Sequence, residues 1–215
     1  MKKRLIIIVA GGLGKELYSL LITQPHLDCE VSGFLDDNLN ALKDWPFPHR
    51  VLGSIQDYRP KPNEVFLTAI GSSKVRLHLC RTFKDRGAQF VTYIHPDTTI
   101  GHSVQLDLGC IIYPGVRLTA FITIGAYTLL TLNATVGHNA AMGEGCTLSG
   151  HSEVNGGCSL GEGVLLGSHA TVLPLVKIGD YAVVGAGSVA VKDVPPHTTV
   201  MGVPAIKLFQ GTSDN

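Results

Sequence analysis

The chain has 215 residues, and its 17 Lys and Arg are balanced by 17 Asp and Glu. A neutral chain has no global field to hold a polyanion, which argues against nucleic acid as the main partner. Hydrophobic residues make up 45% and charged residues 16%, which excludes disorder, and 25 glycines beside 7% aromatics point to repeated tight turns around a thin aliphatic core.

The opening MKKRLIIIVA imitates a signal peptide, but the apolar run stops at Ala10 and Lys15 and Glu16 follow at once. A cytoplasmic chain is therefore expected, and no stretch reaches the ~18 apolar residues of a membrane span. Leu5–Ala10 reads as a buried strand. Gly11-Gly12-Leu13-Gly14 turns sharply, and Lys15–Ile22 reads as a helix with Leu17, Leu20 and Leu21 inward. Glu30–Leu35 is a second strand ending in Asp36-Asp37, and Trp45-Pro-Phe-Pro48 is a surface loop. Val65–Ile70 is a third strand, closing at Gly71-Ser72. Ser73 is expected to cap a helix to Phe83, with Val75, Leu79, Cys80 and Phe83 on one face and Gly87 at its end. Phe90–Ile94 is a fourth strand.

This β–α alternation implies a small Rossmann-like parallel sheet with ligand space at the strand C-termini. A glycine turn opening a helix suits a phosphate, and the acidic pair suits a hydroxyl or a base edge. Leu17 stands where a dinucleotide fingerprint needs its last glycine, so a mononucleotide half-site fits better than a dinucleotide one. A plain α/β turn is the alternative. Residues 1–95 are thus expected to form a domain that binds a nucleotide or nucleotide sugar. Its candidate substrate contacts are Gly12, Gly14, Asp36, Asp37 and Gly71. His95-Pro96 marks the exit. The five cysteines form no CxxC pair and read as free buried thiols.

A second pattern then begins. Steps of six from Ile100 give Leu106, Ile112, Leu118, Ile124, Leu130, Val136, Met142, Leu148, Val154, Leu160, Leu166, Val172, Ile178 and Val184. Four places after each comes a small or β-branched residue, from Val104 to Ser188, and Gly often follows the aliphatic one. A period of six fits neither a helix nor an ordinary strand. It fits a short strand and a corner, three of which close an eighteen-residue triangular coil, so residues 100–189 make five coils of a parallel β-helix. A β-sandwich would need longer spacing and alternation.

His138 follows the inward Val136 by two and is expected to point out of the prism. Gly156 lies one coil further on, and Gly157 lies beneath Asn139. Bare glycines under an outward imidazole make a notch whose backbone N–H can face a ligand oxygen. A general base beside a backbone N–H donor is the pairing that proton transfer and oxyanion stabilisation use. A solvated corner histidine is the plain alternative. His151 and His169 are also one coil apart, with Asn133 before them. They read as a polar ladder at a corner, the alternative being a three-residue metal site. No Asp or Glu completes a zinc set there, and no metal is expected.

The [LIV]-G-x-x-[small]-x repeat resembles the left-handed β-helix of the hexapeptide-repeat acyltransferases. Gly185-Ala-Gly-Ser188, Lys192-Asp-Val-Pro-Pro196 and Gly202-Val-Pro-Ala-Ile-Lys207 resemble their closing segment. The order Ala10-Gly-Gly-x-Gly14, Gly33-Phe-Leu-Asp-Asp37, Leu52-Gly-Ser-Ile55, Ala69-Ile-Gly71 with Arg76, and Ile94-His-Pro96 is similar to one subgroup. These are the bacterial sugar acetyltransferases of the sialic acid O-acetyltransferase and nucleotide-aminosugar N-acetyltransferase types. The resemblance implies a left-handed β-helix acyltransferase domain over residues 96–190 and a closing segment over 191–215. It implies a homotrimer with acetyl-coenzyme A between neighbouring prisms, contacted at Gly156, Gly167, Gly185, Ala186 and Pro204.

The family's base is the His of a V-x-H-[DE] run, which His138 matches, and Gly156 matches the residue whose amide meets the acetyl carbonyl. Two departures stand out. Leu13 replaces a frequent His, and Asn139 replaces the acidic neighbour of the base. Asn139 orients the ring without raising its basicity as a carboxylate does. Glu144, Glu153 or a neighbouring chain are the substitutes considered. A second His of some members falls at Thr147. The implied activity is acetyl-CoA-dependent N-acetylation of a nucleotide-linked amino sugar, a 4-amino-4,6-dideoxyhexose on dTDP or UDP used in O-antigen or glycan assembly. O-acetylation of a sialic acid or another sugar hydroxyl, and a non-catalytic nucleotide-sugar-binding scaffold, are the alternatives.

Overall fold

The computed structural model describes residues 2–23 and 27–210. Its first part contains β1 (Lys3–Ile8), α1 (Gly12–Thr23), β2 (Cys29–Leu35), β3 (Val51–Gly53), β4 (Glu64–Thr68), α2 (Ser73–Asp85) and β5 (Gln89–Phe90). The strands form a parallel sheet in the order β3-β2-β1-β4-β5. Leu5–Ile8 and Val65–Leu67 are buried throughout, as central strands covered on both faces require. Leu17, Tyr18 and Leu21 of α1 pack on Leu5, Ile7 and Phe34 on one face, and Phe83 of α2 packs on Ile6, Ile8, Leu35 and Phe66 on the other.

Several expected details shift. Helix α1 starts at Gly12, and Tyr18 is buried where Leu20 was expected, because Tyr18 stacks on Phe34 and Phe47. Ser72, not Ser73, caps α2, accepting from the Val75 N–H at 3.5 Å. Val75 faces solvent, and the buried face is Ser73, Arg76, Leu77, Cys80 and Phe83. The expected strand Phe90–Ile94 is divided. Gln89–Phe90 joins the sheet, while Tyr93–Ile94 pairs with Ile111–Ile112 as the first rung of the next unit. Ile94 lies in the six-residue register, and that register decides its partner.

From Tyr93 the chain winds into a left-handed triangular prism of two-residue strands. The first side stacks Thr99–Ile100, Arg117–Leu118, Thr135–Val136, Glu153–Val154, Thr171–Val172 and Val189–Ala190. The second stacks the strands from Gln105–Leu106 to Lys177–Ile178. The third runs from Tyr93–Ile94 to Val183–Val184 and ends in a hairpin, Thr198–Gly202 with Ala205–Gln210. The register is eighteen residues per coil, as Thr135 opposite Glu153 and Glu153 opposite Thr171 show. The closing coil is shorter, with Ile178 bridging Val194 and Val184 pairing with Val200. Inward residues from Ile112 to Val184 form one buried column. Ile100, expected in that column, is 41% exposed because no coil lies beneath it. Cys110, Cys146 and Cys158 belong to the small-residue column, and burial pushes the Cys110 and Cys146 thiols up to about 12.

The third side is covered by the α/β unit. Tyr93, Ile111, Tyr113 and Leu129 share a cluster with Leu5, Leu17 and Tyr18. The junction is held by Arg76, which is 2% exposed. Its Nε donates to Tyr127 O at 2.8 Å, Nη1 to Ile70 O at 2.6 Å, and Nη2 to Gly145 O, Cys146 O and Thr147 Oγ1 at 2.7, 2.9 and 2.9 Å. Burial lowers its pKa to about 10, so the guanidinium stays charged at neutral pH. Five N–H donors in a planar fork make Arg the residue that meets so many carbonyls at once.

Candidate active site

The prism has three corners. Residues 143–146 turn from the second side to the third and touch α2, and Tyr113, at the turn from the third side to the first, reaches Leu13 O of α1 at 3.5 Å. The remaining corner, between the first and second sides, lies opposite the covered face. His138 and Asn139 stand there, both exposed.

Asn139 has φ +58, the left-handed region that Asn tolerates better than most residues. This bends its side chain beside the histidine, and its Oδ1 lies 2.9 Å from His138 Nδ1. An amide oxygen only accepts, so with this pairing Nδ1 is the donor, and in the neutral ring the lone pair then lies on Nε2. That nitrogen faces Gly156, since a Cβ placed at 156 would sit 2.7 Å from Nε2. Glycine here is a requirement of the imidazole, not of backbone torsion. Coil-to-coil bonds at this corner run from Gly157 N to His138 O at 2.8 Å and from Leu175 N to Gly156 O at 3.0 Å, which leaves the Gly156 N–H outside the ladder. A groove of about 780 Å³ surrounds the pair, walled by Thr135, Glu153, Asn155, Pro174 and Leu175 among others.

Glu144 is not in this groove. It sits at another corner, 3.0 Å from Arg81 Nη2, and Arg81 also binds Glu162 at 2.6 Å. Glu162 also accepts from Tyr181 OH, and together these partners hold its carboxyl below the usual range, Arg81 first. Glu144 is therefore removed as the substitute for an acidic residue at 139.

The other site residues divide between two places. Gly167, Gly185 and Ala186 lie at the corner between the third and first sides, and Pro204 lies in the closing hairpin. Within one chain they do not meet His138 and Gly156. His151 and His169 occupy that same third–first corner with parallel rings 4.8 Å apart, and Asn133 Nδ2 lies 3.4 Å from His151 Nε2. Among the described residues no group of three metal-ligating side chains occurs.

In the α/β unit, Gly12 and Gly71 are exposed with open space above them. Gly14 is buried, and a Cβ there would collide with Val9 O, so its bareness serves packing. Asp36 accepts from Ala10 N and Asn38 N, each at 2.9 Å, and Asp37 accepts from Ile55 N at 2.9 Å. Both carboxylates thus stitch the loops at the C-terminal edge of the sheet. The junction role of Arg76 went unread in the sequence. Its signal was an arginine at an inward helical position, three before Leu79 and four before Cys80.

A left-handed hexapeptide prism with an outward histidine over a bare glycine, joined to a parallel α/β sheet, is the frame of an acyl-transferring enzyme. Comparison with known proteins gives the particular family. Residues 4–83 match the family described as PglD N-terminal domain. The GDP-perosamine N-acetyltransferase of Escherichia coli O157:H7 is 28% identical over 197 residues, covering 90% of this chain and 80% of that protein. The structure of PerB from Caulobacter crescentus, in complex with CoA and GDP-perosamine, superposes with a TM-score of 0.84 at 30% identity, covering 95% of this chain and 97% of PerB. WeeI from Acinetobacter baumannii AYE gives a TM-score of 0.84 at 28% identity, covering 95% and 99%. The chain belongs to the hexapeptide-repeat sugar acetyltransferases and is an acyltransferase. No described helix is long and apolar enough to cross a membrane.

Proposed function

We propose that this protein transfers the acetyl group of acetyl-CoA to the amine of a nucleotide-linked amino sugar, with His138 as general base. The observation that carries the reading is the placement of the His138 ring. Asn139 Oδ1 accepts a hydrogen bond from Nδ1–H, and Nε2 faces bare backbone at Gly156. His138 Nε2 removes a proton as the amine attacks the thioester carbon, and the Gly156 N–H receives the charge that develops on the carbonyl oxygen. An amine fits this base better than a hydroxyl does, because Asn139 orients the ring but adds no negative charge beside it. Gly12, Gly71 and the loops tied by Asp36 and Asp37 hold the nucleotide. The nucleotide expected from sequence was dTDP or UDP. GDP joins them, since GDP-perosamine is the sugar in the PerB complex.

Two features support a homotrimer with shared sites. The α/β unit covers the prism side opposite His138, and the coenzyme residues divide between two corners. Both are reconciled when the third–first corner of one protomer meets the His138 corner of its neighbour.

The test is a panel of GDP-, UDP- and dTDP-linked amino and hydroxy sugars, with thiol release as readout, on protein whose solution mass is measured alongside. The expected mass is near three times 22.9 kDa. His138→Ala is expected to lower kcat by ~10²–10⁴ with acetyl-CoA affinity retained. Full retention of kcat removes His138 as the base, failure to bind acetyl-CoA favours a non-catalytic scaffold, and a monomer removes the shared site.

A further inference from the structure

Glu153 is the one carboxylate in the wall of the groove that holds His138. It projects from the first side of the prism, one coil beyond Thr135 and one before Thr171. It is exposed, and its carboxylate makes no hydrogen bond or ion pair among the described residues. The nearest cation in its own column is Arg117, two rungs away at roughly 10 Å of rung spacing. Arg117 is turned toward Thr99, at 3.3 Å, on the rung beyond. An unpaired carboxylate thus shares a groove with the His138 imidazole, and Thr135 and Thr171 flank it as its ladder neighbours.

The substrate class explains why a negative charge is useful there. An alkyl amine is largely an ammonium at neutral pH, whereas the nucleophile is the neutral amine. An imidazole base that accepts a proton from the amine carries no charge of its own beforehand, and Asn139 adds none. We infer that Glu153 is the acceptor-recognition residue of this enzyme, binding the sugar's ammonium and holding its nitrogen within reach of His138 Nε2. This rests on the N-acetyltransferase reading above and adds a specificity element to it.

The proton count closes. The ammonium nitrogen sheds two protons while one C–N bond forms and the C–S bond breaks. One proton leaves through His138 to water, and the other ends on the departing coenzyme thiol. Glu153 keeps its charge throughout, so it acts on binding and selection, not on bond making.

The experiment compares wild type, Glu153→Gln and Glu153→Asp, using the best amino sugar of the panel and its hydroxyl counterpart as a competitive inhibitor. Glu153→Gln is expected to raise KM for the amino sugar about tenfold or more, the weight of a charge-assisted hydrogen bond. Inhibition by the neutral hydroxyl analogue and KM for acetyl-CoA are expected to stay within twofold, and Glu153→Asp to recover part of the loss. An equal weakening of amino and hydroxyl ligands means a structural role and overturns the inference, as does an unchanged KM. A wild type inactive on every amino sugar overturns the functional reading and this inference together. An active wild type with an indifferent Glu153→Gln overturns only the inference.

Discussion

The prism and the α/β unit solve the same problem by different means. The prism buries a column of aliphatic and small side chains, and within it each coil pairs only with the coils before and after it. The α/β unit buries two faces of a five-stranded sheet under two helices, and its strands come from distant parts of the chain. One is specified locally and repetitively, the other globally and once. His138, the proposed base, stands on the repetitive part, where a corner position fixes its direction. The expected nucleotide contacts stand on loops of the other part, where side chains such as Asp36 bind backbone many residues away.

The sharpest way to break this comparison is at the junction. Arg76→Ala leaves several buried carbonyls without their donor, and at ~1–3 kcal/mol for each unsatisfied group the loss is expected to exceed 3 kcal/mol. Urea denaturation followed by both fluorescence of Trp45 and far-UV circular dichroism is expected to show two separated transitions, the α/β unit unfolding first. A single transition at the wild-type midpoint means that the junction is dispensable.

Within the prism, Leu148→Ala removes a side chain with no exposed surface and is expected to cost ~2–5 kcal/mol. Because coupling runs coil to coil, hydrogen exchange is expected to quicken around residues 130–166 and to remain slow in β1 and β4. Uniform quickening across both units contradicts the one-dimensional description.

The smallest effect concerns the exposed bridge between the two units. Glu162 has a folded-state pKa below its ordinary value of 4.5, chiefly through Arg81. A depressed carboxyl contributes stability above its unfolded value, and that stability is lost as pH falls through the folded one. The wild type is therefore expected to lose Tm below about pH 4.5 slightly more steeply than Arg81→Ala does, a difference of a degree or two. Parallel acid limbs in the two proteins remove the bridge from the stability account.

The sequence carried the prism almost completely, because every sixth residue reports its own burial and the count of eighteen locates its coil neighbour. His138, Gly156 and the outward direction of the imidazole were legible from that arithmetic alone. The register also held clues that were passed over, since Ile94 already belonged to it while Phe90 did not. The α/β unit was legible in its order of elements and less so in its detail. Ser72 and Ser73 are equally good caps on paper, and only the contact of Ser73 with Thr147 across the junction separates them. Tyr18 displaced Leu20 for the same reason, since its partners Phe34 and Phe47 arrive from elsewhere in the chain.

By itself, then, the chain's periodicity determined the architecture of the prism and the corner that bears His138, because short-range register is a property of spacing. Only the tertiary structure decided which side the α/β unit covers, that Arg76 locks it there, that Glu144 is spent on Arg81 while Glu153 stays unpaired, and that Asn139 Oδ1 sits beside His138 Nδ1. Each of these depends on which groups meet across coils or between units, and spacing along the chain does not carry that information.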